Sequence, residues 1–357
     1  MAITYHAGRR LQATSTDFGT DGAGIPAVAG GWKELGRTTL SGSATSIDVS
    51  SLADKRYLMV LYNMIDDGSN SQFITNQFGN GSFDTGSNYA ERRTSNGAAD
   101  ATATSASYWN TSGGDQVCPE FTVQYLANKS DKEKLGISHS CGAQADGAGT
   151  APNRREHTGK WANTSNVIDR IRATTAYGSR TYGTDSEVVV LGWDDSDTHT
   201  TNFWEELASV NASGSSSNLS TGTFTAKKYL WIQYYVETTS TVYSINRFNN
   251  DTTATYAWRN SSNGGGDSTT ASDTAFYPAV SAANGHFCNM FIVNNSANEK
   301  LVISHTVSQN TAGATAPQRR EGTTKWANTS SQITEMDIDA STGNWGANSI
   351  VKVWGSN

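Results

Sequence analysis

Charged residues make up only 17% of this 357-residue chain, against about 25% in an ordinary soluble domain. Lys and Arg number 26 against 33 Asp and Glu, a net charge of -7 at pH 7, and no Lys/Arg run exceeds two residues. Phosphate binding wants a basic face, so no nucleic-acid partner is expected. There are three cysteines, Cys118, Cys141 and Cys288, with no CxxC. Such an odd, sparse set makes neither a disulfide framework nor a thiolate zinc site, and buried small hydrophobes are expected instead. Long apolar runs are missing too. The longest, YLMVLY (57–62) and VVVLGW (188–193), are far short of the roughly 20 residues of a membrane span. The first residues, MAITYHAGRRLQATSTD, lack the apolar core of a secretory signal. Synthesis in a cytoplasm without a membrane partner is the expectation.

What fills the chain instead is Ser, Thr, Asn and 34 Gly, with 10 Trp, 14 Tyr and 11 Phe. The aromatics argue against disorder, because they supply large buried areas that disordered chains lack. Short Tyr/Val/Ile/Leu runs between polar turn clusters read as strands. No long 3.6-residue period is present, and only WEELASV (204–210) hints at a helical turn.

The chain repeats itself. TAPNRREHTGKWANTS (150–165) returns as TAPQRREGTTKWANTS (315–330), identical at thirteen of sixteen positions. The echo is ordered along the chain: KRYLMVLY (55–62) with KKYLWIQY (227–234), NYAERRTSNG (88–97) with TYAWRNSSNG (255–264), EKLGISHS (133–140) with EKLVISHT (299–306), and GTDSEVVVLG (183–192) with GANSIVKVWG (346–355). Repetition in order marks a duplicated unit. The expected organisation is an all-β chain: an extended N-terminal arm (1–31), a jelly-roll-like β-sandwich (32–192), a short linker (193–203) and a second sandwich (204–357), each with about eight to ten strands. The linker's DDSDTHTTN (194–202) lacks the Gly and Glu of a calcium loop.

Catalytic motifs do not stand out. There is no phosphate loop, nucleophile elbow or HExxH. Jelly rolls can host glycosidases, which need two carboxylates across a groove, but no alternating Glu-x-Asp-x-Glu strand occurs. Glu156 follows two arginines, which disfavour a general acid. The chain is therefore expected not to be an enzyme, and no cofactor or metal is expected. Of six histidines only His139 and His305 occupy equivalent places in the two copies. A metal site there needs further His or carboxylates converging on them.

The candidate contacts lie in the repeated block: Arg154, Arg155, Glu156, Lys160 and Trp161, with Arg319, Arg320, Glu321, Lys325 and Trp326. Alternation along a strand sends one Arg of each pair to each face. The outward one either grips a carboxylate of a neighbouring chain, bidentately, or pairs within its own domain. Trp161 and Trp326 either stack on a sugar or anchor the core before a polar turn. The loops that differ between copies, CGAQADGAG (141–149) and VSQNTAGA (307–314), are where specificity is expected.

The start of the chain, the APxRRE…KWANTS block and the closing GTDSEVVVLG and GANSIVKVWG strands resemble virion structural proteins of marine tailed phages and related environmental viruses. The resemblance spans nearly the whole chain and carries no catalytic residues. It implies a particle component. Foremost is a capsid decoration protein, assembled as a homo-oligomer, a trimer in a ring, on a major capsid protein. A fibre, spike or carbohydrate-binding module that contacts host-surface glycans is the alternative.

Overall fold

Every Tyr/Val/Ile/Leu-rich run forms a strand in the computed structural model, and so do several stretches of mostly Ser, Thr and Ala. The structure describes residues 31–68, 74–112, 119–175, 180–194, 197, 202–214, 216–238, 241–280, 285–309 and 313–357. The N-terminal arm, Gly31 apart, Cys118 and most of the linker lie outside these residues.

The first copy runs through β1 (Lys33–Thr39), β2 (Ser46–Ser50), β3 (Tyr57–Met64), β4 (Thr75–Asn80), β5 (Ser82–Phe83), β6 (Tyr89–Ser95) and β7 (Ala101–Ala106). It continues through β8 (Trp109–Asn110), β9 (Glu120–Ala127), β10 (Lys134–Gly142), β11 (Asn153–Trp161), β12 (Arg170–Thr174) and β13 (Glu187–Trp193). The second copy holds β14 (Glu205–Asn211), β15 (Asn218–Ser220), β16 (Tyr229–Glu237), β17 (Ser244–Phe248), β18 (Tyr256–Ser262) and β19 (Ser268–Asp273). It closes with β20 (Gly285–Val293), β21 (Lys300–Gln309), β22 (Gln318–Trp326), β23 (Met336–Ala340) and β24 (Ile350–Ser356). Among the described residues there is no helix. The helical turn expected in WEELASV is the edge strand β14, held by β24. Each copy exceeds the expected eight to ten strands, because pairs such as β5 and β8 are only two residues long and β7 and β19 carry no apolar pattern.

The duplication is visible in the topology. The large sheet of the first copy has the order β1-β13-β3-β9-β10-β11-β6-β7, and that of the second β14-β24-β16-β20-β21-β22-β18-β19. These are the same positions in the same order. The small sheets repeat likewise, β2-β12-β4 and β15-β23-β17. In each copy the small sheet packs on one face of the large one. Ile47, Val49, Leu58, Val60, Phe78, Trp161 and Ile171 lie in one core, and Leu219, Leu230, Ile232, Phe248, Trp326 and Ile338 in the other.

The other face of each large sheet is not simply solvated. Met59, Leu61, Phe121, Val123, Cys141, Val189 and Leu191 of the first copy pack with Phe203 of the linker and with Trp204, Tyr229, Phe291, Leu301, Ile303 and Trp354 of the second. The all-apolar runs of β3 and β13 follow from this: a strand buried on both faces has no polar side to show.

Candidate functional site

Strand alternation distributes the repeated block as its pattern dictates. Trp161 and Trp326 point into the two sandwich cores and are essentially unexposed. Each indole Nε1 donates 2.7 Å to an aspartate Oδ2, of Asp84 and Asp251 respectively. The ammonium groups of Lys134 and Lys300 lie 5.6 and 5.8 Å over the rings. Buried and capped in this way, the two tryptophans offer no platform to a sugar, so the ligand alternative is set aside for both. The following Asn163 and Asn328 close the turn by accepting backbone N–H bonds from Ser165 and Asn166, and from Ser330 and Ser331.

The arginine pairs split between the faces. Arg155 and Arg320 turn away from the seam between the copies, donating from Nε to Ser95 and Ser262. Arg154 and Arg319 point to the seam side. The carboxylate that Arg154 grips belongs to the same chain: it donates 2.7 Å to Asp267 of the second copy and also bonds Glu156. Arg154 therefore reaches across the duplication, and a neighbouring chain is not needed to satisfy it. Arg319 remains largely exposed beside Glu321, 3.1 Å away. Burial, and Glu156 close by, push the Glu321 carboxyl above the usual range.

Lys160 and Lys325 occupy the same place in the repeat and have opposite surroundings. Lys160 is 43% exposed and pairs with Glu133 at 2.8 Å. Lys325 is fully buried. It donates to the carbonyls of Ala143 and Ala145 and lies 3.6 Å from Glu299. The 141–149 loop thus runs over the second copy. The Gly147 N–H donates to Glu299, and the Ser272 N–H donates to the Ala148 carbonyl at 2.7 Å. The loop expected to carry specificity thus spends backbone groups of Ala143, Ala145, Gly147 and Ala148 on the second copy.

The copies overlap off-centre, and this leaves part of the first large sheet uncovered. A groove of about 1120 Å³ runs over β3, β9, β10, β11, β6 and β7. Its floor holds Tyr57, Leu135 and Ile137, exposed apolar side chains that single-strand alternation reads as core. Trp193 stacks on Tyr57 with ring centroids 5.5 Å apart, and Tyr125 and Trp32 also line the groove. Thr158 lines the groove on β11, and Thr102 and Thr104 on β7, across the sheet from the rings. The charged edges are Lys160 with Glu133 and Arg92 with Asp100, the latter pair at 3.2 Å.

Lys160 of this groove was a candidate from the repeated block, but Tyr57, Leu135 and Ile137, repeated as Tyr229, Leu301 and Ile303, were not, because strand alternation does not tell a covered apolar face from an open one. Sequence reading also passed over Asp84 and Asp251, whose equivalence shows only once both indoles are seen bonded. His139 and His305, noted as equivalent, meet across the seam. Among the described residues, His139, Glu156 and His305 form a group whose ligating atoms converge.

No protein-family model and no curated protein matches the chain. Among solved structures it is similar to the LG4-5 domains of the mouse laminin alpha1 chain. Identity is 9%, the TM-score 0.20, and 92% of this chain and 90% of that one are covered. It is also similar to the LG1-3 region of the laminin alpha2 chain, at 6% identity and a TM-score of 0.22, over 88% of this chain and 64% of that one. The likeness extends to the all-β sandwich class and no further.

Proposed function

We propose that the chain is a non-enzymatic structural protein of a virus particle whose first sandwich carries a carbohydrate-recognition groove. The groove is the observation that carries the recognition part. Its lining, mostly apolar with a few polar and charged groups, is that of a ligand-binding surface. A stacked ring pair at one end, with threonines and charged pairs further along, suits a sugar chain, which presents apolar C–H faces and polar edges. The particle assignment rests on the resemblance of the repeated block and closing strands. Non-catalysis is supported by the carboxylates at hand: Glu91 turns inward to Asn110 and Arg93, while Glu133 and Asp100 are each paired with a cation. Glycan-array binding by the full chain, weakened at least tenfold in Tyr57→Ala and Trp193→Ala with the fold kept, is the expected result. Equal binding by wild type and both variants, or no glycan bound, would sink the recognition reading.

A second reading, capsid decoration as a homo-oligomer, is favoured by a different surface. Tyr235, Phe287 and Val307 are exposed and sit side by side in register across β16, β20 and β21. A contiguous apolar row of this kind marks an interface. Light scattering on the full chain distinguishes a trimer from a monomer. Copy number in purified particles separates decoration, with many copies, from a fibre or spike, with few.

A further inference from the structure

At one point of the seam, equivalent residues of the two copies touch. His139 of β10 and His305 of β21 meet edge to face, ring centroids 4.3 Å apart. Each has a carboxylate directly opposite it on the next strand: Glu156 on β11 faces His139, and Glu321 on β22 faces His305. Opposed residues on adjacent strands present their side chains to the same face, so two His–Glu pairs confront one another. One ligating atom from each of His139, Glu156 and His305 lies within 4.8 Å of the others. All four residues line a small cavity of about 10 Å³, the room taken by a single water or ion. The Nδ1 atom of His139 is buried there without a hydrogen-bond partner, a state that costs free energy unless something fills it.

We propose that His139, Glu156, His305 and Glu321 bind one divalent transition ion, Zn²⁺ foremost, as a structural staple between the two sandwiches. Imidazole and carboxylate are zinc ligands, and four protein ligands make a closed, structural site. Zn–N and Zn–O bonds near 2.0–2.2 Å place tetrahedral ligand atoms about 3.4 Å apart. His139, Glu156 and His305 close in by about 1 Å or a little more, and Glu321, outside that converging set, swings further in to complete the site.

The charges around the cluster set its limits. Arg154 contacts Glu156, lies 3.8 Å from Glu321 and is anchored at 2.7 Å on Asp267. Arg259 is 3.7 Å from Asp267, and Arg319 is 3.1 Å from Glu321. In the ion-free protein these guanidinium groups neutralise the carboxylates. When the ion binds, Arg154 keeps Asp267 while the ion takes the glutamates. The arginines therefore weaken the site, and removing the exposed one tightens it.

The test uses the full chain, stripped with EDTA and titrated at pH 7.5 with Zn²⁺ by calorimetry and with Co²⁺ by visible absorption. One ion per chain, ligand-field bands of a four-coordinate site and a raised thermal midpoint are expected. His139→Gln and His305→Gln should each weaken binding by at least about tenfold, the lower end of what even outer-shell changes cost. His286→Gln, a buried histidine of β20 bonded to Ser308 and the Val242 carbonyl, leaves it unchanged, and Arg319→Gln strengthens it severalfold. Absence of saturable binding up to about 0.1 mM ion, or full binding in the His139→Gln/His305→Gln chain, overturns the proposal. If a histidine variant fails to fold, protection of His139 and His305 in the wild type decides instead. Zn²⁺ should block their carbethoxylation, read by mass spectrometry, and unprotected labelling refutes the site.

Discussion

Replacing Lys325 by Met removes an ammonium that is fully buried, together with its bonds to the carbonyls of Ala143 and Ala145. It also strands Glu299, which is buried, has its carboxyl pushed up by desolvation, and keeps only the Gly147 N–H. Breaking one side of a buried pair costs about 3–5 kcal/mol, because the surviving charge is left uncompensated. The same replacement at Lys160 is the internal control. That lysine occupies the equivalent place and has the equivalent acid, Glu133, but both are substantially exposed. An exposed pair is worth about 1 kcal/mol at most. Urea unfolding followed by tryptophan fluorescence should therefore separate two chemically identical substitutions by a factor of three or more. A cycle with Glu299→Gln sharpens the cause. The double variant should be less destabilised than the sum of the singles by about 1–3 kcal/mol, the coupling expected of contacting residues. Because Lys325 holds the 141–149 loop against the second copy, proteolysis of that loop should accelerate in Lys325→Met and not in Lys160→Met. Equal costs at the two lysines, or an additive cycle, would refute the reasoning.

Two further outcomes follow from the cores. Trp161→Ala and Trp326→Ala should each cost about 3–5 kcal/mol as buried-indole deletions, while glycan binding by the Trp161→Ala chain, measured below its unfolding midpoint, stays at the wild-type level; loss of binding in a folded Trp161→Ala chain would restore the sugar platform set aside above. His157 and His286 are buried neutral, burial holding both near pKa 4, against about 6.5 when unfolded. Below pH 6.5 the unfolded chain binds more protons, so stability is full above that pH and is lost as pH falls towards 4, by on the order of 3 kcal/mol per histidine. The urea midpoint should drop over that window and drop less in His157→Gln; a midpoint flat from pH 7 to 4.5 contradicts it.

The sequence alone determined the β class and the duplication, and it marked the tryptophan turn as one of two things, a platform or a core anchor. Each of these is local or is written twice. A strand's period is carried by its own side chains, a repeated block shows which residues both copies keep, and Trp161 and Trp326 precede the same Asn-Thr-Ser turn. The sequence could also say that Arg154 and Arg155 face opposite ways, since pleating requires it. It could not say what each meets. Only the tertiary structure decided that the two sandwiches share a buried seam, and that Arg154 is spent on Asp267 within the same chain. Likewise it decided that Lys325 is buried while Lys160 is wet, and that Tyr57, Leu135 and Ile137 form a groove while the equivalent Tyr229, Leu301 and Ile303 are covered. The physical reason is the off-centre overlap of the large sheets. Two nearly identical faces are placed in different dielectric surroundings by how they dock, and docking depends on the whole surface of each sheet, which no window of sequence contains. The two histidines illustrate both halves: their equivalence was written in the repeat, and their contact was made by the seam.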